Sequence, residues 1–335
     1  MTRRFNGGVR GKLPTISTSS ASGMWDLLSA HAERGASTWP SLAPPALYAF
    51  TSATFTPGGQ TGSTGPSLAQ ARTGLTGTGT DAWKSNTSYF NTSSGVQLWT
   101  VPSTASYSID CYGAQGADGI QDAAGNPASS GGLGARIQGN FQLTEGQVLS
   151  IVVGQRGMTQ ATYSWGGGGG GGGTFVWVTG QTTNPLVAAG GGGCGGIGSQ
   201  AASGGQTGTS GSAGQNNGGA GGTGGYTSPS QGICGGGGGN GWLGGQSYYC
   251  GGNFTWSALY TSPNGLVLNG GDGGFGGGAG SWGGGGGGGG YSGGGSGGWS
   301  YAGRGGGGGS YNAGSSPIAT GATWSGQGQV IITRL

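Results

Sequence analysis

Two uninterrupted octaglycines, Gly166–Gly173 and Gly283–Gly290, constrain this chain more than any other feature. Shorter runs repeat the theme at Gly190–Gly193, Gly235–Gly239 and Gly305–Gly309. Such a run is a poor α-helix, since each Gly costs roughly 1 kcal/mol against Ala. It can instead adopt the extended left-handed threefold helix, whose backbone makes no internal hydrogen bonds. Its N–H and C=O groups then need partners on neighbouring segments. With no Cβ to hold them apart, such rods approach closely and bond through N–H···O and Cα–H···O contacts. The expectation is a bundle of polyglycine-II helices, a core without side chains, over about residues 156–316. Trp165, Trp177, Trp242, Phe275, Trp282, Tyr291, Trp299 and Tyr301 are expected to cover its ends and flanks.

Composition decides between this reading and a flexible linker. Of 335 residues 94 are Gly, yet the chain carries 11 Trp, 12 Tyr and 8 Phe and only 6% charged residues. Disordered chains are poor in aromatics and rich in charge, and no Gly-X-Y period supports collagen. A conventional β pattern surrounds the Gly-rich part. Val96–Pro102 reads as a strand closed by Pro, and Tyr107–Tyr112 alternates apolar and polar residues. Ile137, Phe141 and Leu143 share one face of a third strand, Val148–Val153 is a fourth, and Gln329–Thr333 is the last. Strands so far apart in sequence imply a β-sandwich of residues 47–155 and 317–335 with a large excursion.

Residues 1–46 differ in character. Arg3, Arg4, Arg10 and Lys12 crowd the start, and a net charge of +3 leaves the remainder nearly neutral. No basic stripe tracks phosphates, so no nucleic-acid partner is expected of the main body. Ser22–His31 has the pattern of one short helix, capped by Ser22 and stopped by Gly35. Its apolar residues are too few to bury a core, which marks an adaptor folding against another chain. The run Asn6-Gly7-Gly8-Val9, then Pro14-Thr15, a Ser/Thr stretch, Ala21-Ser22-Gly23-Met24-Trp25 and Trp39-Pro40 resembles the leader of tailed-bacteriophage structural proteins, marine and cyanobacterial ones in particular. The resemblance implies a virion protein, assembled in the host cytoplasm, docked to other virion proteins through Arg3, Arg4, Phe5, Trp25 and Trp39.

A second resemblance covers roughly residues 47–335. It rests on Gly95–Pro102, Tyr112-Gly113-Ala114-Gln115-Gly116, Val152–Gly157, the first octaglycine with Thr174-Phe175-Val176, and Pro185–Gly190. Gly273–Gly278, the second octaglycine with Tyr291, and Gly328–Ile332 complete it. In this order the motifs resemble the extracellular glycine-rich domain of anaplastic lymphoma kinase and leukocyte tyrosine kinase. The resemblance implies an all-β, TNF-like or jelly-roll sandwich with an inserted polyglycine-II bundle, in a module that binds rather than catalyses. By analogy with such sandwiches and with phage fibres it also implies a homotrimer. The ligand site does not carry over. Met1–Lys12 has no apolar signal core and no stretch approaches the roughly 20 apolar residues of a membrane span, so a membrane receptor is not expected.

The chemistry of the side chains points the same way. Asp118 and Asp122 are the close acidic pair, but they sit in a Gly/Ala loop and read as turn residues. His31 is the single histidine, and no Gly-Lys-Ser/Thr follows a Gly run. Cys111, Cys194, Cys234 and Cys250 match no zinc spacing. Free thiols are the preferred reading, with a Cys234–Cys250 pair left open. No cofactor, metal or catalytic residue is expected. Aromatic faces at a rod tip stack well on sugar rings, which makes Trp282, Tyr291, Trp299 and Tyr301 the candidate contacts for a host-surface glycan or protein. Two roles follow: a tail-fibre-like appendage for host attachment, or a decoration protein that cements capsid or tail. A scaffold for antifreeze activity would leave the adaptor unexplained.

Overall fold

The computed structural model describes residues 16–17, 20–21, 46–119, 129–159, 167–197, 200–228, 235–249, 252–268, 270–281, 283–299 and 303–335. The chain divides into two compact units, Met1–Ala46 and Leu47–Leu335. In the first, β1 (Ile16–Ser17) pairs antiparallel with β2 (Ser20–Ala21). The expected helix at Ser22–His31 lies outside the described residues.

The second unit is all-β, a sandwich of two six-stranded antiparallel sheets. Its strands are β3 (Ser52–Phe55), β4 (Thr76–Gly77), β5 (Phe90–Ser93), β6 (Val96–Thr100), β7 (Ala105–Tyr112), β8 (Gly134–Leu143), β9 (Val148–Val152), β10 (Thr174–Val178), β11 (Val187–Ala189), β14 (Tyr311–Asn312), β15 (Ser315–Trp324) and β16 (Gln329–Arg334). A separate hairpin joins β12 (Gly245–Tyr249) to β13 (Gly252–Trp256). The front sheet runs β15-β8-β7-β16-β3-β4 and the back sheet β14-β11-β10-β9-β6-β5. The alternation read in β7 is realised: Tyr107, Ile109 and Cys111 point inward, while Ser108 and Tyr112 stay half-exposed. Between the sheets pack Phe55, Trp83, Phe90, Trp99, Tyr107, Ile109, Ile137, Leu149 and Ile332, all essentially inaccessible. Trp99 meets the edge of Tyr107 at 6.0 Å between centroids, and Phe50 tilts against Trp99 at 5.0 Å. Two short helices, α1 (Leu68–Gly74) and α2 (Thr80–Trp83), close one side. Ser67 and Gln70 form a capping box at the start of α1, satisfying donors that the helix leaves free.

The polyglycine segments form the second core, and their hydrogen bonds repeat every three residues. In the second octaglycine the N–H groups of Gly285, Gly288 and the following Tyr291 donate to the carbonyls of Gly303, Gly306 and Gly309. Gly286 and Gly289 donate to Gly168 and Gly171, and Gly287 and Gly290 to Gly237 and Asn240, at 2.9–3.2 Å. In return Gly285 and Gly288 accept from Gly297 and Gly294, Gly286 and Gly289 from Cys194 and Gly191, and Gly287 from Ala279. A backbone turning a third of a revolution per residue produces this pattern. Six segments therefore surround this rod, each held by backbone alone. The segments that accept from its N–H groups run in its own direction, whereas 191–194 and 294–297 run against it.

Rods and sheets interleave, which revises the expected division at residues 156–316. β7 continues into a rod at 113–119, β9 into one at 153–158 and β11 into one at 190–196. Rods at 129–133, 167–173 and 303–310 lead back into β8, β10 and β14. Two rods thus come from the expected sandwich half, and β10, β11 and β14 come from the expected excursion. The physical reason is continuity: a strand and a threefold rod are both extended backbone, so one passes into the other without a turn.

Candidate functional site

The two sheets differ in what covers their outer faces. The back sheet is buried on both along its central strands β9, β10 and β11. Val176 of β10 faces the sandwich core, while Phe175 and Trp177 face outward under a lid of Trp242, Leu259, Phe275 and Tyr291. Trp242 meets Trp177 edge-on at 5.5 Å and donates its indole N–H to the Thr182 carbonyl at 2.9 Å. Tyr291 stacks on Tyr311 at 4.7 Å and donates its hydroxyl to Asn184 Oδ1 at 2.9 Å. Tyr291 is 9% exposed, so this proposed contact residue is a structural cover. Trp299, by contrast, is 55% exposed and lies across Gly283, where a Cβ would meet its ring. Trp282 and Tyr301 lie outside the described residues, as do Arg3, Arg4, Phe5, Trp25 and Trp39. So do His31, Asp122, Cys234 and Cys250.

Asp118 binds rods together. Its Oδ1 accepts the Gly131 N–H at 2.9 Å and its Oδ2 pairs with Arg156 at 2.6 Å. Asp272 sits beside Met158, whose N–H donates to the Asp272 carbonyl. Its Oδ1 is buried without a hydrogen-bond partner, and burial raises its pKa above the ordinary carboxylate value. Cys111 and Cys194 are free and fully buried, and that burial pushes both thiols up.

The front sheet's outer face is open. Its register places Gln329, Tyr112, Arg136 and Thr320 in one row across four strands. The next row is Thr54, Ile331, Asp110, Gln138 and Ile318, and the third is Ser52, Thr333, Ser108, Asn140 and Ser315. Hydroxyls and amides dominate, and the two charged residues of these rows neutralise each other. Arg136 bonds Asp110 through Nε and Nη2, the latter at 2.8 Å, and Nη2 also reaches Gln138 Oε1 at 3.2 Å. Tyr112 donates its hydroxyl to Asp110 Oδ2 at 2.9 Å. The Arg136 guanidinium stands 5.5 Å from the centre of the Tyr112 ring, a cation–π distance. Trp324, the last residue of β15, tilts onto Tyr112 at 4.6 Å and donates its indole N–H to the Gln327 carbonyl at 2.6 Å. Burial, aided by the bond to Asp110, pushes the Tyr112 hydroxyl up to about 12. Each of these five side chains is thus held by at least one other in a fixed arrangement.

Alternation in β7 and β8 carries a readable signal for this face, because Ser108, Asp110 and Tyr112 must share a side, as must Arg136, Gln138 and Asn140. Trp324 gave no such signal, since β15 (Ser-Ser-Pro-Ile-Ala-Thr-Gly-Ala-Thr-Trp) shows no alternation and is exposed along nearly its whole length. Among the described residues no group of three or more His, Cys, Asp or Glu is placed to hold a metal ion. Nor is any helix among them long and apolar enough to cross a membrane. No protein-family model matches the chain.

Proposed function

We propose that this chain is a non-enzymatic virion protein, docked through Met1–Ala46 and displaying Leu47–Leu335 as a tail-fibre-like binding domain for host attachment. One observation carries the reading of the displayed domain: a rigid two-core body with one sheet covered on both sides and the other presenting an open, polar, pre-organised face. Side chains locked before binding lose little freedom when a partner arrives. The leader motifs of residues 1–46 support the particle-bound role. Within it the domain acts as a homotrimer, which cross-linking of free protein and of particles tests.

The decisive experiment is adsorption of particles lacking residues 47–335, or blocked by antibody against them. Loss of adsorption with intact particles is the expected result. Unchanged adsorption with particles that fall apart sinks attachment and favours the decoration role instead.

A further inference from the structure

We infer that the outer face of the front sheet is a saccharide-binding surface, centred on Trp324, Tyr112, Arg136, Asp110 and Gln138; this rests on the display reading above. The chemistry of the face selects among partner classes. A protein partner needs a desolvated apolar centre, but Ile331 and Ile318 are the only large aliphatic residues in these three rows. A nucleic acid needs a surplus of cations, but Arg136 is already neutralised by Asp110. What remains is a neutral partner dense in hydroxyls, and the face is dense in groups that bind hydroxyls in both senses. Gln138, Asn140 and Gln329 each offer donors and an acceptor, and Ser108, Thr333, Thr54 and Ser52 offer hydroxyls.

The central cluster supplies what a solvated face does not require. Arg136 spends Nε and Nη2 on Asp110 and Gln138 and is left with Nη1. Asp110 is 8% exposed and is held by Arg136 and Tyr112 together. A vicinal diol bound here meets a fixed guanidinium N–H beside a fixed amide, with no side chain left to order. Trp324 borders the same row, half-exposed, its ring fixed by the bond to Gln327 and by Tyr112. A pyranose laid against it packs its C–H face on the indole, as sugars do on aromatic rings. The first row crosses four strands and the other two cross five, about 14–19 Å at the usual strand spacing, which fits about three to four sugar residues. The expected ligand is therefore a short stretch of a neutral polysaccharide.

The test applies the full chain to an array of defined neutral and anionic bacterial oligosaccharides, with single-stranded DNA spots as a charge control. Binding to at least one neutral oligosaccharide is expected, falling tenfold or more in Trp324→Ala and severalfold in Gln138→Ala. Gln138→Ala keeps both rings, so it decides the matter if Trp324→Ala does not fold. Glu145→Gln, in a turn away from these rows, binds like the parent chain. No retention on any neutral spot, retention on anionic or DNA spots alone, or retention that neither variant weakens would overturn the inference. Particle adsorption separates the two levels. Adsorption lost on deleting residues 47–335 but normal in both point variants removes the saccharide face and leaves the display role. Adsorption indifferent to the deletion removes the display role, and the array then judges the face by itself.

Discussion

The sandwich core and the rod core solve the same problem by opposite means. Between the sheets, Trp99, Tyr107, Phe55 and Phe90 remove large apolar surfaces from water, at roughly 25 cal/mol per Å². Around Gly287 there are no side chains to bury, and stability comes from backbone pairs worth about 0.5–1.5 kcal/mol each when water is displaced. Packing density is what makes these bonds count, since an unpaired buried amide costs more than a paired one returns. The difference teaches where each core is fragile. The sandwich is sensitive to losing atoms, and the rods are sensitive to gaining them.

The sharpest way to break the comparison is a single methyl group. A Cβ on Gly287 would run into the carbonyl of Gly294 and the amide of Gly239, neither of which can swing aside. Gly287→Ala should therefore cost more than the ~1–3 kcal/mol usual for overpacking and abolish the folded Leu47–Leu335 unit, read by circular dichroism and thermal melting. Gly208→Ala, where no atom lies within 4 Å of the added carbon, should leave the melting midpoint unchanged or slightly raised. Equal effects of the two would mean that the rods are not a packed core. On the sandwich side, Trp99→Ala deletes the ring at the centre of the aromatic cluster and should cost about 3–5 kcal/mol, measured by denaturant titration.

Calorimetry sharpens the contrast further. Apolar exposure raises the heat capacity of unfolding and polar exposure lowers it, giving ordinary proteins about 12–15 cal/mol/K per residue. With the rods burying peptide groups in place of apolar side chains, the heat capacity change per residue of this chain should fall below that range. A value within it would assign the rods an apolar burial they do not have.

A smaller effect comes from Asp272, at the edge of the rods. Burial raises its folded-state pKa, so the folded chain holds this proton more tightly than the unfolded one. Its contribution is favourable below the unfolded carboxyl pKa and is lost as pH rises through the raised folded value. Asp272→Asn should accordingly raise the melting midpoint at pH 7 and change it little at pH 3. Smallest of all, Asp118→Asn removes a half-exposed pair with Arg156 and should cost at most ~1 kcal/mol, less at high salt.

Much of the fold was legible in residue order. Val96, Leu98 and Trp99, the alternation of Tyr107–Tyr112, and the apolar runs at 148–153 and 329–333 became β6, β7, β9 and β16. β10 and β11 are hard to read because Phe175-Val176-Trp177-Val178 and Val187-Ala188-Ala189 sit amid Gly runs. A sheet buried on both faces also shows no alternation. The candidate face was half legible. Asp110, Tyr112, Arg136 and Gln138 follow from period two once β7 and β8 are paired. Trp324 does not, since its place beside Tyr112 depends on β15 pairing with β8 across a register shift. Nor is the burial of Tyr291 legible: an aromatic beside polyglycine reads alike whether it covers a rod or faces solvent.

By itself the sequence pointed to a side-chain-free core, because its many aromatics and few charges argue against a linker, and in a buried run of eight glycines only the backbone groups are left to be paired. It also determined the period of that core, since three residues per turn is a property of the unbranched chain. Only the tertiary structure decided which segment faces which. Glycine carbonyls are chemically identical, so nothing in a run of them specifies that Gly287 should meet Gly237 rather than another rod. That choice is made at the ends, where β7, β9 and β11 feed the rods out and β8, β10 and β14 receive them back. The strand register, set by side chains, fixes the register of a bundle that has none.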